Sequence, residues 1–192
     1  RLGELAATVP EYTQAFGALL LDAAGSGNPE VRSAAITALG PLDDAKQAVA
    51  IRNSLLKATS SRDATVREAA ARALGVRIKA GECHDDECLK ALLSLAKDWY
   101  SSVREAATEA LNSFSTKQLI EGYCSGIDHK VLVSHIRGRL CAQPLVDTPI
   151  PGSNDKCQLT LYEQVGSTIT WEQDNKTRVK KLKRAIQGQN PA

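Results

Sequence analysis

The feature that most constrains this chain is a thirteen-residue pattern present three times: Asn28 to Gly40 (NPEVRSAAITALG), Asp63 to Gly75 (DATVREAAARALG) and Tyr100 to Asn112 (YSSVREAATEALN). Each copy contains Val-Arg-x-Ala-Ala-x-x-Ala-Leu, and the Val-to-Val steps are 35 and 37 residues. Self-similarity at that period is the mark of a stacked repeat protein, in which no unit buries its apolar side alone. Within a copy, the Val, the Ala three residues on, the Ala seven on and the Leu eight on fall at helical spacing and share one buried stripe. Alanine at those positions lets neighbouring helices approach closely. Composition agrees, with 27 Ala, 22 Leu and only 4% aromatic residues. That mixture favours packed helices over a β-sandwich.

A second amphipathic stretch precedes each copy, over roughly residues 11–24, 45–58 and 88–97, with Leu89, Leu92, Leu93 and Ala96 at three- and four-residue steps in the last. The unit is therefore a helix hairpin of about 36 residues. Asn28 before Pro29 predicts an N-cap followed by proline in the first helical position, and Asp63 a second N-cap. Gly40 and Gly75 are expected just past helix ends. Leu2–Gly3 matches Leu39–Gly40 and Leu74–Gly75, so Arg1 to Ala7 reads as the tail of a preceding repeat. With the start at Arg1 and no Met, this predicts a piece of a longer protein.

The Asn/Asp-x-x-Val-Arg-x-Ala-Ala-x-x-Ala-Leu-Gly pattern resembles HEAT and armadillo-like helical repeats, clearly over residues 1–112. Thr116 to Cys141 reads as one further, degenerate hairpin. The resemblance implies an all-α, right-handed α-α superhelix whose motif helices line a concave side. It also implies that the Arg after Val ties adjacent repeats to acidic residues, so Arg32, Arg67 and Arg104 are expected to be structural. The expected organisation is a partial repeat over 1–9 and hairpins at about 11–40, 45–78, 86–113 and 116–142. A linker over 143–156 follows, marked by Pro144, Pro149, Pro151 and Gly152. In residues 157–192, Cys157 to Tyr162 and Ser167 to Trp171 alternate apolar with polar and predict a β-hairpin. Asn175 is expected to cap a last helix over about 176–187, and the segment to cover the open end of the solenoid.

Net charge is +2, with 24 basic against 22 acidic residues, but it is unevenly placed. From Glu172 onward six basic residues face two acidic ones, and the body before it is slightly acidic. Nucleic-acid binders more often spread positive charge along a face. Lys180, Lys181, Lys183 and Arg184 are candidates for contact with phosphates or an acidic partner, with no aromatic interleaved to stack on bases. The solvated side of a capping helix is the favoured reading. No charged-then-apolar leader is visible, and the longest apolar run, Ala15 to Leu21, is far too short to span a bilayer. Five scattered cysteines do not form a secreted disulfide framework, which favours reduced thiols and a cytoplasmic setting.

Catalytic signatures are not found: no Gly-rich phosphate loop, no Gly-x-Ser-x-Gly, no His-Glu-x-x-His. The His-Glu pairs of HEAT-like di-iron hydroxylases do not occur either, and no cofactor is called for. Cys83, His84 and Cys88 form the densest group of potential metal ligands. An inter-repeat turn in which Asp85 or Asp86 caps the next helix accounts for it better, with a metal site or local disulfide as alternatives. Trp99 and Tyr100, just before the third motif helix, are either interface anchors or core filling. The leading expectation is a non-enzymatic scaffold that binds a protein or peptide through its concave face, at Ser33, Thr37, Glu68, Arg72, Glu105 and Glu109. The alternatives are a HEAT-like enzyme or accessory, resembling phycobilin lyases or DNA glycosylases of this fold, and a nucleic-acid-binding solenoid using the basic tail.

Overall fold

The computed structural model describes residues 10–127, 130–142, 155–166 and 173–188, and every regular element among them is an α-helix. The helices are α1 (Pro10–Ala23), α2 (Pro29–Leu39), α3 (Ala48–Ala58), α4 (Ala64–Lys79), α5 (Asp86–Leu95), α6 (Ser101–Leu111), α7 (Thr116–Cys124), α8 (Lys130–Ala142), α9 (Asp155–Gly166) and α10 (Gln173–Gly188). The chain forms two compact units, Arg1–Phe114 and Ser115–Ala192. The partial repeat expected at 1–9 lies outside the described residues, as does the linker up to residue 154.

In the first unit α1 packs on α2, α3 on α4 and α5 on α6, which gives three hairpins. The motif helices α2, α4 and α6 then pack side by side, and these are the most extensive contacts in the unit. Val66, Ala69, Ala70, Ala73 and Leu74 are buried on α4, and Val103, Ala106, Ala107, Ala110 and Leu111 on α6. The first copy differs, because Val31 is 43% exposed and Ala34 is exposed, while Ala35, Ile36 and Leu39 are buried. In the second and third copies the Val/Ala stripe meets the preceding motif helix, and α2 is the first motif helix among the described residues.

Gly40 stands just past the end of α2, as expected, and Gly75 corrects the same expectation for the second copy. Gly75 lies inside α4, and Gly40 closes α2 with an ordinary right-handed φ of −55°. Their role is in packing. A Cβ on Gly40 would stand 3.0 Å from the Ala73 Cα, and one on Gly75 would stand 3.1 Å from the Ala110 Cα. Each glycine lets the next motif helix rest almost on its backbone. The C-terminus of α4 is capped instead by Gly81 at φ +92°, with Gly81 N–H donating to the Ile78 carbonyl (3.1 Å) and Glu82 N–H to the Arg77 carbonyl (2.9 Å). This is the paired-bond arrangement that a left-handed residue makes possible.

The N-terminal caps follow the sequence. Asn28 Oδ1 accepts from the Glu30 amide (2.8 Å), and Asp63 Oδ1 from the Thr65 amide (2.9 Å). Asp85 caps α5, its Oδ1 accepting from the Glu87 and Cys88 amides, both at 3.0 Å.

In the second unit α7 packs with α8, and α9 packs on α10 and α7. Ser115 and Gln118 form a capping box at the start of α7. The predicted β-hairpin is corrected over its first half, since residues 155–166 are helical. Gln158, Leu161, Tyr162 and Val165 are all fully buried, a set at helical steps. The apolar positions of this short run fit a two-residue and a 3.6-residue period alike, and burial favours the second. The predicted second strand, 167–171, lies outside the described residues. The last helix begins at Gln173, which places Asn175 in its first turn rather than at its cap.

Candidate functional site

Three arginines recur after the motif Val, and each turns back to clamp the loop before its own helix. Arg32 Nη1 donates to the carbonyls of Ser26 (2.7 Å) and Gly27 (3.0 Å), Arg67 Nη1 to those of Ser61 (2.9 Å) and Arg62 (3.1 Å), and Arg104 Nη1 to those of Asp98 and Trp99, both at 2.8 Å. Arg67 adds the inter-repeat tie that the resemblance implies: Nε and Nη2 grip the Asp98 carboxylate at 2.7 and 2.9 Å. That guanidinium holds the Asp98 carboxyl below its usual range. A second tie was missed in the sequence. Arg52 on α3 reaches Asp85 (2.8 Å) and Glu87 (2.8 Å) at the start of α5. Burial alone would raise the Asp85 carboxyl, but the Arg52 guanidinium and the helix amides outweigh it and hold it at about 2. A third is Arg77, buried on α4, which donates to the Leu42 carbonyl (3.0 Å) and pairs with Glu82. Partners 31 to 35 residues apart, close to one repeat period, are the signal that finds such ties.

The motif-helix layer carries the residues singled out for binding. On α4, Arg72 donates through Nε and Nη2 to Glu68 Oε1 at 3.2 and 3.0 Å, and its Nη1 stands 3.7 Å from Glu109 Oε2 on α6. Glu68 is half-buried, and its carboxyl is lowered by the Ser102 hydroxyl and then by Arg72. These groups flank a groove lined by Arg72, Gly75, Val76 and Lys79 of α4 and by Ala106, Glu109, Ala110 and Ser113. Its floor is shallow side chain or none, because Gly75 and Ala110 meet there. Val76 is 43% exposed on its wall, and Ser113 Oγ is buried with no hydrogen-bond partner. Val76, Lys79 and Ser113 were not picked out from the sequence, since each reads alone as an ordinary helix-end residue.

The remaining candidates stand apart. Glu105 is exposed one turn before Glu109. Ser33 and Thr37 are on α2 with their hydroxyls turned onto their own helix, Thr37 Oγ1 to the Ser33 carbonyl at 2.8 Å and Ser33 Oγ to the Glu30 carbonyl at 3.4 Å. Trp99 is 95% exposed and Tyr100 59%, which removes the core-filling reading. The Arg67 guanidinium lies 5.8 Å from the Tyr100 ring centre. Lys180, Lys181, Lys183 and Arg184 are exposed on α10, where Lys183 pairs with Glu163 at 2.5 Å. His84 packs edge-on against Phe114, ring centres 6.4 Å apart. Among the described residues no group of three or more His, Cys, Asp and Glu side chains is placed to hold a metal ion. No described helix is long and apolar enough to cross a membrane.

Helix hairpins tied one period apart, with glycine and alanine at the crossing of successive second helices, define an α-helical repeat protein. The family model described as HEAT repeats matches residues 17–112, and the chain belongs to the HEAT repeat family. A crystal structure of an engineered protein is similar at 17% identity and a TM-score of 0.47, over 97% of this chain and 87% of that one. No curated protein matches the chain.

Proposed function

We propose that this chain is a non-enzymatic binding module, and that a protein or peptide segment occupies the motif-helix groove between α4 and α6. HEAT repeats generally mediate protein–protein interaction or scaffolding. The observation that carries the finer reading is the groove itself. It sets an exposed apolar wall, Val76, beside charges of both signs, Arg72 and Lys79 against Glu109, and beside an unpartnered hydroxyl, Ser113. A polypeptide offers apolar side chains, charges and backbone donors together, whereas a phosphate backbone would favour one sign of charge. In this reading Glu105 extends the rim, Trp99 and Tyr100 are anchors at its edge, and Ser33 and Thr37 belong to the same layer one repeat earlier. The basic tail is the competing surface.

The test is a peptide selected from a random display library on the intact chain. Its affinity is then compared for Arg72→Glu with Glu109→Lys and for Lys180→Glu with Lys181→Glu. Charge reversal at exposed sites of this kind changes folding stability by about 0.5 kcal/mol or less. The groove pair is expected to weaken binding more than the tail pair. Loss confined to the tail pair, with affinity falling steeply in salt, contradicts the groove and favours an acidic or nucleic-acid partner.

A further inference from the structure

The turn between α4 and α5 carries two of the five cysteines, Cys83 and Cys88. Both are free thiols, and they stand close enough across this turn for each to shift the other's titration. The backbone brings them together. Gly81 turns the chain at φ +92° and Cys83 itself stands at φ +54°, in the left-handed region that only Asn, Asp and Gly enter readily. Cys83 is half-buried, and Cys88 is buried in the first turn of α5. The Cys88 sulfur also lies 3.8 Å from Asp85 Oδ2, and Asp85 is itself fixed by Arg52 and by the α5 amides.

We infer that Cys83 and Cys88 are a dithiol site for oxidation by a hydroperoxide, with Cys83 as the attacking thiol and Cys88 as the resolving one. In the first step the Cys83 thiolate attacks one peroxide oxygen. The O–O bond breaks, hydroxide leaves and takes a proton to become water, and Cys83 becomes a sulfenic acid. In the second step the Cys88 sulfur attacks the Cys83 sulfur as its own proton passes to the departing hydroxide. The S–O bond breaks, water leaves and the disulfide closes. Two thiols lose two electrons and two protons, and one hydrogen peroxide becomes two waters.

The asymmetry between the two sulfurs follows from their surroundings. The neighbouring Cys88 thiol lowers the Cys83 thiol to about 7 against the opposing effect of burial, with the nearby guanidinium groups of Arg77 and Arg52 assisting and Asp85 working against them. The same proximity, with burial and the Asp85 charge, raises Cys88 and keeps it protonated. The amide end of α5, two residues beyond Cys83, favours a thiolate in the same direction. Cys124 has the opposite environment, and burial together with its contact to Cys157 pushes its thiol up to about 12. At pH 7 a thiol near 7 is roughly half thiolate, and after discounting its lower intrinsic nucleophilicity it reacts roughly five-fold faster than an ordinary one.

The experiment treats the reduced full chain with equimolar hydrogen peroxide at pH 7, blocks remaining thiols by alkylation and reads tryptic peptides by mass spectrometry. Cleavage after Lys79 and Lys90 leaves both cysteines, and no other, on the peptide 80–90. That peptide is expected to lose two hydrogens at least five-fold faster than Cys124 is consumed. In Cys88→Ser, Cys83 is expected to accumulate a sulfenic acid that dimedone traps. In Cys83→Ser, Cys88 is expected to stay reduced over the same time. In urea the advantage over Cys124 is expected to disappear. Oxidation of 80–90 no faster than Cys124, oxygen addition without ring closure in the unmodified chain, or Cys83 linked between two chains would each overturn the inference.

Discussion

Gly75 stands inside a 16-residue helix, where alanine is intrinsically better by about 1 kcal/mol. The neighbouring Ala110 backbone leaves no room for that methyl, since its Cβ would be 3.1 Å from both the Cα and the Cβ of Ala110. Overpacking against a backbone that cannot swing away costs about 1–3 kcal/mol, so Gly75→Ala is expected to be destabilising and Gly75→Val more so. Gly138, in the middle of α8 with nothing within 4 Å of its would-be Cβ, gives the contrast. Gly138→Ala is expected to raise stability by about 0.5–1 kcal/mol in urea titration. Equal gains at the two sites would show that the α4–α6 crossing is looser than described. Asp98 makes a second prediction. Its folded-state carboxyl is depressed by Arg67, so the stability of the pair is complete above the ordinary carboxylate range and is lost as pH falls through the folded value. Asp98→Asn is expected to cost about 1.5–3 kcal/mol at pH 7 and to reduce the further loss of stability below about pH 4. An unchanged acid limb would mean that the pair is not formed in solution.

At the scale of elements, the stripe and the glycines carry different amounts of information in the sequence. The Val-Arg-x-Ala-Ala-x-x-Ala-Leu copies made the motif helices legible, and Asn28 and Asp63 marked their starts, because each signal is local. The role of Gly40 and Gly75 was not legible, because a glycine at a helix end and a glycine at a helix crossing look alike until the neighbour is placed. The same holds for Cys157 to Tyr162, where a short apolar run suits both periods and only the buried set Gln158, Leu161, Tyr162 and Val165 decides. Nor does the pattern distinguish the first copy from the others, although their surroundings differ. Val31 is 43% exposed, whereas Val66 and Val103 are 1% and 0% exposed. Truncation should follow that difference. Val66→Ala and Val103→Ala are expected to cost about 2 kcal/mol each, and Val31→Ala about 0.5 kcal/mol or less. Equal costs at all three positions would place a covering element over α2.

For the whole molecule, the candidate site was half legible. Glu68, Arg72 and Glu109 follow from helical spacing, because polar positions off the buried stripe must face outward. Their assembly across two helices depends on the inter-repeat approach at Gly75, and Val76, Lys79 and Ser113 enter the site only through that approach. The ties from Arg52, Arg67 and Arg77 hold successive hairpins together away from the groove. The groove has a floor of backbone and small side chains between charged rims, and it is on this arrangement that we propose a polypeptide ligand. The measurement that tests this most directly is the footprint of a library-selected peptide on the intact chain, read by amide hydrogen exchange or by backbone NMR shifts. The account predicts that the affected amides cluster on α4 and α6, around Arg72 to Lys79 and Ala106 to Ser113. A footprint confined to α10, with α4 and α6 unchanged, would contradict it.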